Sequence, residues 1–252
     1  MNIKSPETKD IPGLHRLWKQ AFGDSDAFIS HFFSTAFSPS RARCLYVENQ
    51  PVSVIYWFDC DYMGASVAYL YAIATDKAFQ RRGFFKELMK NTLKYLKNCG
   101  YAGAVLVPAD YTLFPFYEKA GYASFGGIRN ISATAGNIAC AYWEITPEEF
   151  LSLEKTHCPV SGVFHRDTTL QFYAQSCKFY RGEDWILAAE KKDGILMGHL
   201  FWGDPQRIPE ILFALNCQSG KFLIPSGNEK YAMCHLFSPD LPLPDYFGIS
   251  LA

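Results

Sequence analysis

The sequence predicts an α/β fold built on a mixed sheet, and three observations carry that prediction. Tyr69 to Thr75 reads as a strand that passes through a turn, Asp76 to Arg82, into an amphipathic helix opening at Gly83. Upstream, Cys44 to Val47, Pro51 to Phe58 and Ala68 to Thr75 are separated by turn residues, the pattern of an antiparallel meander. Downstream, Gly103 to Val107 is apolar throughout, as a strand covered on both faces is.

The elements follow in order. Asn2 to Lys4 starts a short strand, and Thr8 or Asp10 caps a helix with Pro12 in its first turn. That helix runs to about Phe22, with Ile11, Leu14, Leu17, Trp18 and Phe22 on one face; Gly23-Asp24 stops it. A second helix follows with Phe28, Ile29, Phe32 and Phe33 apolar. After the meander, Phe84, Phe85, Leu88, Met89, Thr92, Leu93 and Leu96 recur at helical spacing. Beyond the strand at Gly103, a helix is predicted over about Thr112 to Ala120, ended by Gly121.

The turn before the long helix is where chemistry first shows. The first turn of a helix has backbone amides without intrahelical partners and carries the positive end of the dipole. Gly83 lets a ligand approach those amides, and Arg81 and Arg82 add positive charge, so the turn suits a phosphate or pyrophosphate. Taken alone, it is equally compatible with a plain chain reversal bearing two solvated arginines. Neither a P-loop nor a G-x-G-x-x-G dinucleotide motif is present.

Two motifs in order narrow the choice. Gln80-Arg81-Arg82-Gly83 resembles the start of the Gln/Arg-x-x-Gly-x-Gly/Ala signature of the GNAT superfamily of N-acetyltransferases. Phe116-Tyr117-Glu118-Lys119-Ala120-Gly121-Tyr122 resembles that family's second signature, Tyr-Glu-Lys-x-Gly-Phe. Phe85 departs from the first signature, standing where the family has a small residue. A bulky residue there, with Leu106-Val107-Pro108 and Phe114 to Tyr117, is similar to the branch of enhanced intracellular survival proteins. The clear resemblance covers roughly residues 3 to 126.

The resemblance implies a GNAT fold with acetyl-CoA as co-substrate. It implies that the pyrophosphate is held at Gln80, Arg81, Arg82, Gly83, Phe84 and Phe85, and that the pantetheine arm lies along the strand at Ile73 and Thr75. The two helices after the first strand would form a wall of the acceptor cleft. Tyr117 would be the general acid, because amide formation expels a CoA thiolate that a phenol in reach can protonate. Without the resemblance, Tyr117 is one of 15 tyrosines and reads as core. Asp110, where the family often has asparagine, has no assigned role. No general base stands out: Asp59, Asp61 and Glu118 each read as solvated charges.

Whole-chain properties bound the rest. The 252 residues suffice for one large domain or two small ones, and 49% apolar and 16% aromatic content argues against disorder. A net charge of -1 gives no field that draws the chain to nucleic acid or an anionic membrane. The eight cysteines form no C-x-x-C pair, so no zinc cluster or redox dithiol is indicated, and they read as buried thiols in a reducing compartment. The six histidines show no metal-ligand spacing. A polar N-terminus and the lack of a long apolar run lead to a cytoplasmic expectation.

The second half, expected as residues 133–252 after a first domain of 1–132, begins in small residues. Thr146-Pro147-Glu148-Glu149 is a capping box, and a helix is predicted over about Asp167 to Cys177. Trp185 to Glu190 and Ile195 to Trp202 flank Asp193-Gly194 as a hairpin. A helix near Pro209 to Asn216 and strands near Lys221 to Ile224 and Tyr231 to Phe237 complete an order that repeats the first half. This suggests a degenerate second domain of the same kind. At its equivalent turn, Gly203 to Pro209, two prolines remove amides and Asp204 repels phosphate, so no CoA is expected there. The apolar tail Leu241 to Ala252 reads as ordered, and in the resembled branch a terminal carboxylate reaches the active site, which would put Ala252 beside the acceptor.

The leading reading is direct acetyl transfer to a small-molecule or peptide amine, since no cysteine or serine is paired with a histidine in either motif. The alternative is a non-catalytic acyl-CoA sensor or interaction module on the same fold. Aromatic residues including Trp18, Phe32, Tyr56, Trp57 and Tyr111 either line a hydrophobic cleft or fill the core.

Overall fold

A computed structural model describes residues 1–158 and 161–250. The chain opens with β1 (Asn2–Lys4), then α1 (Ile11–Phe22) and α2 (Asp26–Thr35), as the apolar periodicities predict. Pro12 lies in the first turn of α1, and Gly23, at φ 75, ends it in the left-handed cap that glycine favours. Ser25 caps α2, accepting from the Phe28 amide at 3.2 Å.

The meander is β2 (Ala42–Val47), β3 (Gln50–Tyr62) and β4 (Ala65–Thr75), all antiparallel neighbours. Next come α3 (Phe84–Asn98), β5 (Gly103–Leu106) and α4 (Phe114–Glu118). α4 is shorter than predicted. Asp110 caps a 3-10 turn over Tyr111–Leu113 by accepting from the Thr112 amide at 2.7 Å, and α4 proper starts only afterwards. β6 (Ala123–Thr134) then leads into the second half.

The second half comprises β7 (Trp143–Ile145), α5 (Pro147–His157), β8 (Gly162–His165), α6 (Asp167–Tyr173), β9 (Lys178–Arg181), β10 (Ile186–Lys192), β11 (Ile195–Trp202), α7 (Ile208–Ala214), β12 (Ser219–Pro225), β13 (Glu229–Leu236) and β14 (Tyr246–Phe247). Its strands β7, β9, β10, β11 and β12 are neighbours in that order, with three antiparallel contacts and a final parallel one. β1 to β5 show the same order and the same directions. The halves are therefore topological repeats.

They are also interlocked. β13, from the second half, pairs antiparallel with β5 and β6, whereas β6 pairs antiparallel with β12. Each half thus lends a strand to the other, and one mixed sheet runs across both. The boundary expected at residue 132 falls inside β6. β8 adds a further link by pairing with β3, reinforced by Arg166, whose guanidinium donates to Asp61 at 2.7 and 2.9 Å.

Where β6 meets the loop before β13 the backbones nearly touch. A Cβ on Gly127 would lie 2.0 Å from the Gly227 carbonyl oxygen, and one on Gly227 would lie 2.0 Å from that of Ile128. Only glycine fits at either position.

The two faces of the first half carry separate cores. Trp18, Phe32, Tyr56, Phe58, Tyr69 and Tyr71 pack with α1 and α2, while Leu70, Leu88, Leu106, Tyr117 and Tyr122 pack with α3 and α4. β4 supplies alternate residues to each. Five of the cysteines are buried and all eight are free thiols. No helix among the described residues is long and apolar enough to cross a membrane.

Candidate active site

Backbone geometry creates the site. β4 and β5 pair only from Val67↔Gly103 to Tyr69↔Val105, and β4 then runs on to Thr75 without that neighbour. A bulge on the other side of β4 accompanies the separation. Between the pairs Val54↔Ala74 and Tyr56↔Tyr71, two residues of β4 oppose one of β3, and Ala72 takes φ 46. The gap is a cavity of about 560 Å³. β4 from Tyr69 to Thr75 forms its floor, the end of α1 from Trp18 to Phe22 and the following Asp24 one wall, and Leu106, Leu113 and Tyr117 the other. Ile73 and Thr75 both line it. The Thr75 hydroxyl is held by Ser53 at 2.7 Å, and its carbonyl accepts from the Gln80 side-chain Nε2 at 3.2 Å, tying the strand end to the turn.

At that end lies the arginine turn. Arg81 takes φ 61 and Gly83 φ 79, and Gly83 is the N-cap of α3 with no side chain to satisfy the first amides. A Cβ built on Gly83 meets nothing within 4 Å, so the space before those amides is open. Arg81 and Arg82 are exposed and make no ion pair among the described residues; the Arg82 guanidinium lies 5.2 Å over the Phe79 ring. Free amides, a helix dipole and unneutralised cations together favour an anion.

Phe85 does not crowd the turn. Its ring faces Phe116 and Tyr117, with centroids at 5.0 and 6.1 Å. The bulky residue therefore joins the start of α3 to α4, the helix that carries Tyr117. Phe84 packs instead on Phe79 at 5.9 Å.

Tyr117 is 8% exposed and lines the cavity. Its hydroxyl has no hydrogen-bond partner among the described residues. Burial pushes its pKa up to about 12, so the phenol stays protonated at neutral pH and can give a proton to a thiolate.

The three carboxylates considered as bases are engaged elsewhere. Asp59 accepts from the Tyr101 hydroxyl at 2.5 Å and lies 3.5 Å from the Arg41 guanidinium, in a separate shallow cavity. Asp61 holds Arg166, and Glu118 pairs with Lys230 at 3.1 Å. They are partnered, not simply solvated. The cavity has a carboxylate that sequence reasoning passed over, Asp24, read there only as a helix stop. No group of three or more His, Cys, Asp or Glu among the described residues is placed to hold a metal. Ala252 lies outside the described residues.

This fold is that of the GNAT acetyltransferases. Residues 2–125 match the family model described as "Acetyltransferase (GNAT) domain", so the first half of the chain carries a domain of that family. No curated protein sequence matches the chain. Among solved structures, a GCN5-related N-acetyltransferase from Kribbella flavida is similar at a TM-score of 0.68 and 14% identity, over 93% of this chain and 71% of that one. Eis1 from Mycobacterium abscessus is similar at a TM-score of 0.64 and 11% identity, over 94% and 74%. A GCN5-related N-acetyltransferase from Anabaena variabilis gives 0.67 and 14%, over 92% and 72%. At these identities the likeness is one of fold, and it spans both halves.

Proposed function

We propose that the chain is an acetyl-CoA-dependent N-acetyltransferase that passes the acetyl group directly to an amine. One observation carries the reading: where β4 runs on without β5, a single cavity extends from Gln80, at the start of the turn whose amides are open at Gly83, to Tyr117 with its unpartnered hydroxyl. The pyrophosphate sits on the Gln80 to Phe85 turn and the pantetheine arm lies against Ile73 and Thr75, which brings the thioester to Tyr117. The free amine attacks the thioester carbonyl; a C–N bond forms and the C–S bond breaks. The leaving thiolate takes the Tyr117 proton, and the phenolate is reprotonated by the proton the amine releases to water. Residues 1–132 supply the cofactor site, and 133–252 buttress it through β13 and β8.

Calorimetric titration of acetyl-CoA tests this. Binding at one site per chain that Gly83→Asp weakens on the order of 100-fold is the expected result. A wild type that binds no acetyl-CoA overturns it and favours an interaction module.

A further inference from the structure

The acceptor side of the cavity has a chemistry of its own. Its wall is aromatic: Trp18, Phe22, Tyr69 and Tyr71 all line it. Trp18 is the hub, with its ring centroid 5.5 Å from that of Tyr71 and 5.9 Å from that of Phe22. Trp18 and Tyr71 are almost wholly buried, while Phe22, 46% exposed, forms the rim.

Within this aromatic wall stands one carboxylate. Among the described residues lining the cavity, Asp24 is the only acidic one, and the only cation, Lys77, follows Thr75 toward the arginine turn. Asp24 is half-buried, and its Oδ2 accepts from the Trp18 indole N–H at 2.7 Å. That bond fixes the carboxylate against the ring and leaves Oδ1 free of any hydrogen bond among the described residues. Its charge also reaches Tyr71: after burial, Asp24 is the further cause that raises that phenol.

A carboxylate beside aromatic faces binds an ammonium group through Coulomb attraction, a charge-assisted hydrogen bond and cation–π contact. The aromatic surface around it favours an apolar substituent, and no second carboxylate among the described lining residues stands ready to pair with a further ammonium group. We infer that Asp24 is the ammonium-recognising residue of the acceptor cleft, and that the acceptor is a monocationic amine on an aryl or similarly apolar group. The inference rests on the acceptor reading of the cleft given above. Asp24 is here a binding residue, and no proton transfer is assigned to it.

The test is direct binding, without acetyl transfer. 2-Phenylethylamine, its neutral isostere 2-phenylethanol and the polycation spermidine are titrated calorimetrically into the acetyl-CoA-free protein. The wild type is expected to bind 2-phenylethylamine at least about tenfold tighter than either competitor. Asp24→Asn keeps an acceptor for the Trp18 indole, and it should bring amine and alcohol to within about threefold. Phe22→Ala, at the exposed rim, should weaken 2-phenylethylamine several-fold and leave methylamine unchanged. Unaltered discrimination in Asp24→Asn, spermidine binding tighter than 2-phenylethylamine, or no saturable amine binding would each overturn the inference. A parallel acetyl-CoA titration of the same sample separates these failures from a failure of the transferase reading.

Discussion

The protein contains the same strand–turn–helix passage twice, and only one copy is open. In the first, β4 leads to Gly83, whose surroundings are empty, and then to a fifteen-residue helix with uncapped amides and two unpaired arginines. In the second, β11 leads to Gly203, where a Cβ would lie 2.5 Å from that of Trp185. The Asp204 carboxylate there accepts from the Gln206 amide at 2.9 Å, and Arg207 is claimed by Glu210 at 3.0 Å and Asp184 at 3.6 Å. α7 has seven residues and a proline in its first turn. Equal topology thus yields a site only where amides, space and charge are left unspent; the second copy uses all three on its own structure.

The comparison breaks most sharply at the glycine. Gly83→Asp places a carboxylate and a Cβ in front of the α3 amides and should weaken acetyl-CoA on the order of 100-fold, as loss of one or two charge-assisted hydrogen bonds predicts. A carboxylate introduced at the second turn, Gln206→Glu, should leave affinity unchanged. Equal losses from both variants in calorimetry would mean that the second turn also binds the cofactor.

Tyr117→Phe sharpens the chemical side. It removes the hydroxyl and keeps the ring that Phe85 and Phe116 contact. We expect kcat to fall about 10²-fold with acetyl-CoA affinity within a few-fold. An affinity loss as large as the rate loss would make Tyr117 a binding residue. The general acid works protonated and burial raises its pKa to about 12, so this limb of the pH profile should stay flat beyond pH 10. An ordinary phenol would begin to fail near pH 10.

The second half has a titrating group of its own, and it governs stability instead of binding. Glu154 is 1% exposed and accepts from the Tyr246 hydroxyl. Burial outweighs that hydrogen bond and raises its pKa to about 7. Because the folded value lies above the unfolded one, the native state holds the extra proton between the two. Its stability should therefore fall as pH rises from about 4.5 to about 7. Glu154→Gln should remove this slope and gain on the order of 2 kcal/mol at pH 8 relative to wild type, read by denaturant unfolding. Acetyl-CoA affinity should not move.

Much of this was legible in the sequence because strong periodicity and two motifs coincide. α1, α3, the meander and the β10–β11 hairpin were readable, and so were the prolines and the aspartate that set the turn at Gly203 to Pro209 apart from its counterpart. β6 was not, since its glycines argue against a strand. They are there because Gly127 passes against Gly227, a contact between residues a hundred positions apart. The strand exchange was hidden for the same reason: nothing local in Glu229–Leu236 says that its partners are β5 and β6. Asp24 was masked by Gly23, whose helix-stopping role accounted for both residues until the fold brought Trp18 and Tyr71 alongside. The departure at Phe85 had no visible reason in the sequence because its ring packs on Phe116 of α4, about thirty residues away.

The arginines offer the mildest test of the comparison. Arg81 and Arg82 are exposed, so their pull on a phosphate is screened by water and salt, and each is worth about 0.2 to 1 kcal/mol. Arg81→Gln and Arg82→Gln should each weaken acetyl-CoA about 2- to 5-fold, and the loss should shrink as ionic strength rises and the Debye length falls below about 8 Å. Arg207→Gln, in the paired copy, should leave affinity untouched and cost only local stability through Glu210 and Asp184. If Arg81→Gln costs as much as Gly83→Asp, the cations and not the helix amides hold the pyrophosphate. The openness of Gly83 would then be a matter of steric access alone.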